Sequence, residues 1–337
     1  MSLNNYGNRW LIGCLKGDYD MEINNIAYCC GVINSYYRRI YRKIFHRSAP
    51  FRTLNGQKVI HDPKEANGLI SQMIRSNKPF MVSRFGSTEL SAINNYYKNN
   101  RNSKSSFSES VRRNLCNCSG FFPNDEKLMG AFVELTLQRS RNADIFGLWN
   151  SNLELFTISQ FASKARGIDL FCLEPYYDLE TSWTHALEGK KILVVHPFEE
   201  TIMKQFLNRK HLFDKEFWPD DCELTIVKAV QTIAGQKDER FVTWFDALEY
   251  MEKEIAKKDF DIAIIGCGAY GLPLASYVKE LGKPAIHLGG ATQLLFGIGA
   301  KRWDNTEISR FYNEFWTRPT LNEKPQNATI VENGCYW

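Results

Sequence analysis

No apolar run in this chain approaches the roughly 18 residues of a membrane-spanning helix. A basic start followed by an apolar stretch and a small-residue cleavage site is also missing, so the cytoplasm is expected rather than secretion. The nine cysteines contain no CxxC pair: Cys29 and Cys30 are adjacent, and Cys116 and Cys118 are one residue apart. That spacing gives no zinc site and reads as free thiols in a reducing compartment. Without secretion, the sequon Asn327-Ala328-Thr329 carries little weight. Basic residues number 42 and acidic ones 38, and a surplus of +4 is too small to imply nucleic acid. The chain has no internal repeat and no long low-complexity segment.

What is present is a globular composition, 44% apolar over 337 residues, enough for a large core. The most informative stretch is 261–290. A short apolar run, 262–265, ends in Gly266, Gly268 and Gly271, as a buried parallel strand does when it passes into a helix N-terminus. Amides in a helix's first turn favour an anion, usually phosphate. A second apolar run, 285–288, follows after a crossover long enough for one βαβ unit. The spacing is a formal GxGxxG, but that fingerprint needs an acidic residue about 20 positions on. His287, Leu288, Gly289 and Gly290 stand there instead, so no NAD site is expected. The glycines by themselves could serve only close strand-to-helix packing. Gly289 and Gly290, at the end of the next strand, favour a phosphate or nucleotide crevice.

Strand and helix signals alternate along the rest of the chain. The spacing predicts helices over 64–77, 126–139, 201–207 and 244–257, and strands over 80–82, 143–149, 191–195 and 224–227. Ser87 is placed to cap a helix after the first of these strands. The stretch 94–117, rich in Asn, Ser, Lys and Arg, predicts an exposed loop plus a polar helix. The fold class is therefore α/β, a Rossmann-like, mainly parallel sheet flanked by helices, with an N-terminal helical extension. The expected organisation is an extension over 1–60, an α/β catalytic domain over 61–318 and a C-terminal tail over 319–337. In residues 32–47, Ile33, Tyr36, Tyr37, Ile40, Ile44 and Phe45 recur at helical spacing, with Arg38, Arg39, Arg42, Lys43 and Arg47 between them and no acid. Such a helix either contacts an anionic membrane peripherally or packs on the protein's own core with a solvated basic face.

Three strand ends stand out: Arg84, Gly86, Ser87 and Glu89; His196 to Glu200; and the glycine segments with His287. In a parallel sheet their carboxyl ends share one edge, so residues distant in sequence meet in one crevice. Arg84 supplies a fixed cation for phosphate. Glu89 can bind a divalent ion or orient a sugar hydroxyl, and the two histidines can donate to phosphate or move protons. The plainer alternatives are an Arg84–Glu89 surface pair, a turn histidine at His196, and core roles for Trp149, Trp183, Trp244 and Trp303.

The stretch Arg84-Phe85-Gly86-Ser87-Thr88-Glu89 resembles the Arg-Phe-Gly-Asp-Gly-Glu signature of bacterial GT-D glycosyltransferases. The late Gly-Cys-Gly-Ala-Tyr-Gly turn followed by a glycine-rich strand end is similar to that group's second half. The resemblance implies transfer of a sugar from a nucleotide diphosphate sugar. It also implies that Glu89 contacts the donor or a divalent metal. Ser87 stands where the signature has Asp, and a serine hydroxyl is a poor ligand for Mn2+ or Mg2+, which puts metal dependence in doubt.

The reading is a glycosyltransferase-like enzyme acting on a glycan, lipid-linked or protein-linked acceptor. Arg84, Gly86, Ser87, Gly266, Gly268, Gly271, His287, Gly289 and Gly290 are expected at the donor. The candidates for chemistry are Glu89, His196 and Asp246, with Glu174 and Asp178 also considered as the base. The rivals are an S-adenosylmethionine-dependent or other nucleotide-using Rossmann enzyme, and a non-catalytic nucleotide-sugar-binding protein.

Overall fold

The apolar runs pair into one parallel sheet in the computed structural model, which describes residues 24–46, 52–102, 106–149, 151, 153–331 and 333–337. Its strands are β3 (Met81–Arg84), β4 (Ile145–Leu148), β5 (Arg166–Asp169), β6 (Lys191–His196), β7 (Glu223–Lys228), β8 (Ile262–Ile265) and β9 (Ala285–His287). They lie in the order β5-β4-β3-β9-β8-β6-β7, and every pairing is parallel. A small antiparallel hairpin, β1 (Thr53–Leu54) with β2 (Gln57–Lys58), precedes the sheet.

Side chains alternate across a strand, so each strand serves two cores. In β6, Leu193 and Val195 join one core while Ile192 and Val194 join the other. In β8, Ala263 and Ile265 oppose Ile262 and Ile264. The first core is covered by α5 (Glu126–Ser140), α8 (Trp244–Ala256) and α9 (Gly271–Glu280) through Phe132, Trp244 and Leu274. The second is covered by α2 (Pro63–Arg75) and α7 (Glu199–Leu207) through Ile70 and Ile202. Each buried isoleucine of β8 contributes about 1.5–3 kcal/mol by leaving water, which is why an all-apolar run settles in the centre of the sheet. The start of α2 is fixed locally: the Asp62 carboxylate accepts from the Lys64 and Glu65 amides, and Pro63 suits the first helical turn.

The stretch 94–117 departs from expectation. It is helical where described: α3 (Ser87–Asn102) and α4 (Glu109–Ser119) take most of it, and 103–105 lie outside the described residues. Ile93, Tyr97 and Leu115 are buried, so sparse but regularly spaced anchors outweigh the polar composition. Ser87 is the first helical residue of α3 rather than the residue before it.

Of the expected extension, 1–23 and 47–51 lie outside the described residues, Arg47 among them. The remainder forms α1 (Asn25–Phe45), which docks on α6 (Glu154–Phe161). The docked face is small and polar apart from Tyr28. Tyr28 packs edge-on against Phe156, and a Cβ at Gly31 would stand 2.8 Å from that of Phe156. Ser35 Oγ accepts from the Leu153 amide at 3.0 Å. Ile33, Tyr36, Tyr37, Ile40 and Ile44 are exposed. These apolar residues therefore face away from the protein, while the helix itself packs on the core through Tyr28 and Ala27.

The order of strands positions the site. From β3 the chain runs outward through β4 and β5, and from β6 it runs outward to β7 on the other side. β8 and β9 then return into the gap. The carboxyl ends of β3, β9, β8 and β6 thus stand side by side, the usual place for a ligand crevice.

Candidate functional site

A cavity of about 370 Å³ opens at these four strand ends. Its floor is built from Arg84, Gly86, Ser87 and Glu89 after β3, Gly266 to Gly268 after β8, and His287 to Gly290 after β9. His196 to Phe198 after β6 complete it. Gly268 has φ +61°, and a Cβ there would stand 3.1 Å from the Ser119 carbonyl oxygen. Gly289 has φ +65°, and a Cβ there would stand 3.0 Å from an Arg84 guanidinium nitrogen. Both positions need glycine for its backbone as well as its size.

Arg84 makes no ion pair among the described residues, so the Arg84–Glu89 surface pair is not formed. Its guanidinium lies 5.2 Å from the centre of the Trp149 ring, which holds it flat. Three buried donors of the lining, Arg84 Nε, Trp149 Nε1 and Gln231 Nε2, have no hydrogen-bond partner among the described residues. Orphaned buried donors are costly, which makes this cavity a candidate site for a ligand rich in acceptor oxygens.

Glu89 is nearly buried, and its Oε2 accepts from the Thr88 hydroxyl at 2.9 Å; that hydroxyl also meets Ser119 Oγ. A Cβ at Gly86 would overlap the carboxylate, so glycine there lets Glu89 fold back over the turn. One carboxylate with serine and threonine hydroxyls is a poor cage for Mg2+ or Mn2+. Among the described residues no group of three or more His, Cys, Asp or Glu is placed to hold a metal ion.

The remaining expected site residues separate. Gly271 is outside the cavity lining; a Cβ there would overlap the His287 ring, so its role is close packing of α9 on β9. The 266–268 turn therefore lines the cavity and the first turn of α9 does not. Asp246 is also outside the lining. It closes the capping box of α8, accepting from the Thr243 amide at 2.7 Å. Asp178 accepts from the Glu180 amide and the Thr181 hydroxyl and is likewise outside. His196 and His287 do line the cavity. Burial holds both down to about 3, with Arg84 adding to the effect at His287, so both rings are neutral at pH 7. His196 Nδ1 accepts from the Phe198 amide at 3.1 Å, and His287 Nδ1 meets Ser83 Oγ at 3.0 Å.

Glu174 stands differently. It is half-buried in the cavity wall, and the Tyr176 hydroxyl donates to it. Burial raises it to about 7; the Tyr176 hydrogen bond and the charges of Arg84 and Arg302 pull the other way. A carboxyl that changes protonation near neutral pH is suited to proton transfer.

The chain matches the GT-D-like family, described as a GT-D fold-like domain, over residues 61–295. It belongs to that family. No curated protein matches it. A solved structure described as "The highly conserved domain of unknown function 1792 has a distinct glycosyltransferase fold" is similar at 14% identity. That similarity covers 79% of this chain and 92% of the other, with a TM-score of 0.39.

Within the GT-D-like region, reasoning from sequence passed over Ser119, Gly120, Gln231 and Thr232, which line the cavity from loops after α4 and β7. These loops carry no glycine-rich or charged signature. They are joined by a buried bond from Thr232 Oγ1 to the Gly120 carbonyl at 2.6 Å. Beyond the GT-D-like region, Arg302, Tyr336 and Trp337 also line it, and only Trp303 of that wall had drawn notice, as an aromatic.

Proposed function

We propose that this GT-D-like protein transfers a sugar from a nucleotide diphosphate sugar to an acceptor hydroxyl of a glycan, lipid-linked or protein-linked saccharide. The observation that carries the reading is the set of orphaned donors beside the glycine turn: Arg84 Nε, Trp149 Nε1 and Gln231 Nε2. Arg84 and the 266–268 amides would hold the diphosphate and take up the charge that develops on it. Glu89 would orient the donor sugar. Glu174 is the base this cavity supports best, since His196 is too weak a base at about 3 and Asp246 is engaged in a helix cap. The acceptor oxygen bonds to the anomeric carbon, and its proton passes to the Glu174 carboxylate. The bond from the anomeric carbon to the diphosphate oxygen breaks, and its electron pair leaves with the diphosphate.

The direct test is calorimetric titration with UDP, GDP and dTDP, followed by turnover of the matching nucleotide sugars. At least one diphosphate should bind, and turnover should survive a chelator. Glu89→Gln should cut turnover about a hundredfold, the scale of losing a positioned charge at the reacting centre, while binding falls less. If the parent never turns a nucleotide sugar over and Glu89→Gln binds the diphosphate as tightly as the parent does, the protein is a binding module. No binding of any of the three diphosphates to the parent removes the reading.

We also propose that it works in the cytoplasm, attached peripherally to the anionic inner face of the membrane through α1. No helix among the described residues is long and apolar enough to cross a membrane. α1 instead turns Ala27, Tyr28, Gly31 and Ser35 to the protein and its other apolar side chains outward, with Arg39, Arg42 and Lys43 exposed and no acid. That charge fits an anionic bilayer, each basic residue adding about 1 kcal/mol near the surface. The parent should sediment with phosphatidylglycerol-containing vesicles and not with pure phosphatidylcholine, and Ile33, Ile40 and Ile44 changed to Ser should release it. A parent that stays in the supernatant with both vesicles overturns this.

A further inference from the structure

Arg302, Trp303, Val331, Tyr336 and Trp337 lie beyond the 61–295 match, yet they line one side of the cavity. They are anchored for that purpose. The Glu323 carboxylate accepts from the Thr201 amide at 3.1 Å, and from its hydroxyl, at the start of α7. The Arg302 amide donates to the Cys335 carbonyl at 3.1 Å, and Trp337 Nε1 donates to the Glu323 carbonyl at 3.3 Å. The Tyr336 ring lies so close to Gly290 that a Cβ there would stand 2.6 Å from it. Within this wall the Arg302 guanidinium stands 5.4 Å from the centre of the Trp303 ring and 4.8 Å from that of Tyr336. Stacking of this kind holds a cation and two aromatic faces in place before any ligand arrives.

We infer that this C-terminal wall is the acceptor subsite, where the Trp303 face left open by Arg302 packs against the C–H face of a pyranose, Tyr336 braces the ring at 71° and Arg302 binds the sugar's hydroxyls. The inference rests on the transferase reading and adds to it where the acceptor sits. Two observations point to the acceptor rather than to the donor's nucleobase. The wall adjoins Glu174, the group placed to take the acceptor's proton, and Arg302 is close enough to act on that carboxyl's charge. A saccharide hydroxyl both donates and accepts, and Arg302 and Glu174 offer it a donor and an acceptor beside an aromatic ring.

The test uses the full chain with Trp303→Ala and, as a milder change, Arg302→Gln, on residues that are not fully buried. The probes are the methyl glycosides of glucose, galactose, N-acetylglucosamine and rhamnose, followed by saturation-transfer NMR, with UDP, GDP and dTDP titrated in parallel. At least one glycoside should bind the parent and bind both variants at least about tenfold more weakly, while nucleotide affinity changes by less than about twofold. If nucleotide affinity falls with the variants as far as glycoside affinity does, the wall holds the nucleobase and the inference is overturned. If nucleotides bind and none of the glycosides does, it is overturned as well. If the parent binds no nucleotide diphosphate, the failure lies in the transferase reading, and glycoside binding lost in both variants still identifies a saccharide site.

Discussion

Arg84→Met separates a ligand-binding arginine from a structural one by the signs of two effects. Among the described residues Arg84 has no carboxylate in ion-pair contact, and its Nε is buried without an acceptor. An unsatisfied buried donor costs about 1–3 kcal/mol, so removing it while keeping most of the side chain's length should leave stability unchanged or raise it by about 1 kcal/mol. The contact with Trp149 at 5.2 Å works against that gain by about 0.5–1 kcal/mol, which leaves a net effect close to zero or slightly stabilising. Nucleotide binding should move the other way. A charge-assisted pair between guanidinium and diphosphate at a half-buried site is worth about 2–3 kcal/mol, or roughly 30- to 150-fold in affinity. Urea denaturation reports the first quantity and calorimetric titration with the diphosphate that binds the parent reports the second. A variant that loses more than about 1 kcal/mol of stability while binding nucleotide as tightly as the parent would refute the reasoning, because Arg84 would then be holding the fold.

Gly268→Ala should lose about 1–2 kcal/mol of stability, since an L-residue there must adopt φ +61° and crowd the Ser119 carbonyl, and nucleotide binding should weaken with it; equal stability by urea denaturation would mean that the turn relaxes. If Glu174 is the base, turnover should rise with pH through an apparent value near 7, and Glu174→Gln should flatten the profile; a rise that persists in the variant assigns the base elsewhere. Acid stability follows from opposing groups. His196 and His287, near 3 when folded against 6.5 ordinarily, take up two protons on unfolding below pH 6.5. Glu174 and Glu252, near 7 when folded against 4.5 ordinarily, hold two protons in the folded state between those values. The two pairs offset each other from pH 6.5 to 4.5, and below 4.5 the histidines act alone, so stability should fall by about 3 kcal/mol per pH unit toward 3. A urea-denaturation series from pH 7 to 3.5 checks this, and an unchanged slope in the His196→Gln, His287→Gln double variant would sink it.

The sequence by itself determined the α/β class, most strands to within two residues, and the three strand ends that meet. Unbroken apolar runs such as Ile262–Ile265 can only be buried on both faces, and glycines directly after a strand mark where backbone must come close. It also contained Arg84 and Glu89, whose positions relative to β3 are local facts. Tertiary structure decided the rest. The order β3-β9-β8-β6 makes neighbours of loops some two hundred residues apart, and no local pattern encodes that pairing. Asp246 left the candidate site because its carboxylate caps a helix, and Gly271 left it because a histidine ring occupies the space its side chain would need. Glu174 is the proposed base because its surroundings beside Tyr176 raise its carboxyl, and those surroundings are a property of the assembled fold. The same holds for α1. Its amphipathic pattern is plain in the sequence, but which face meets the protein is fixed by Gly31 and Ser35 fitting against α6, where bulkier apolar side chains would not fit.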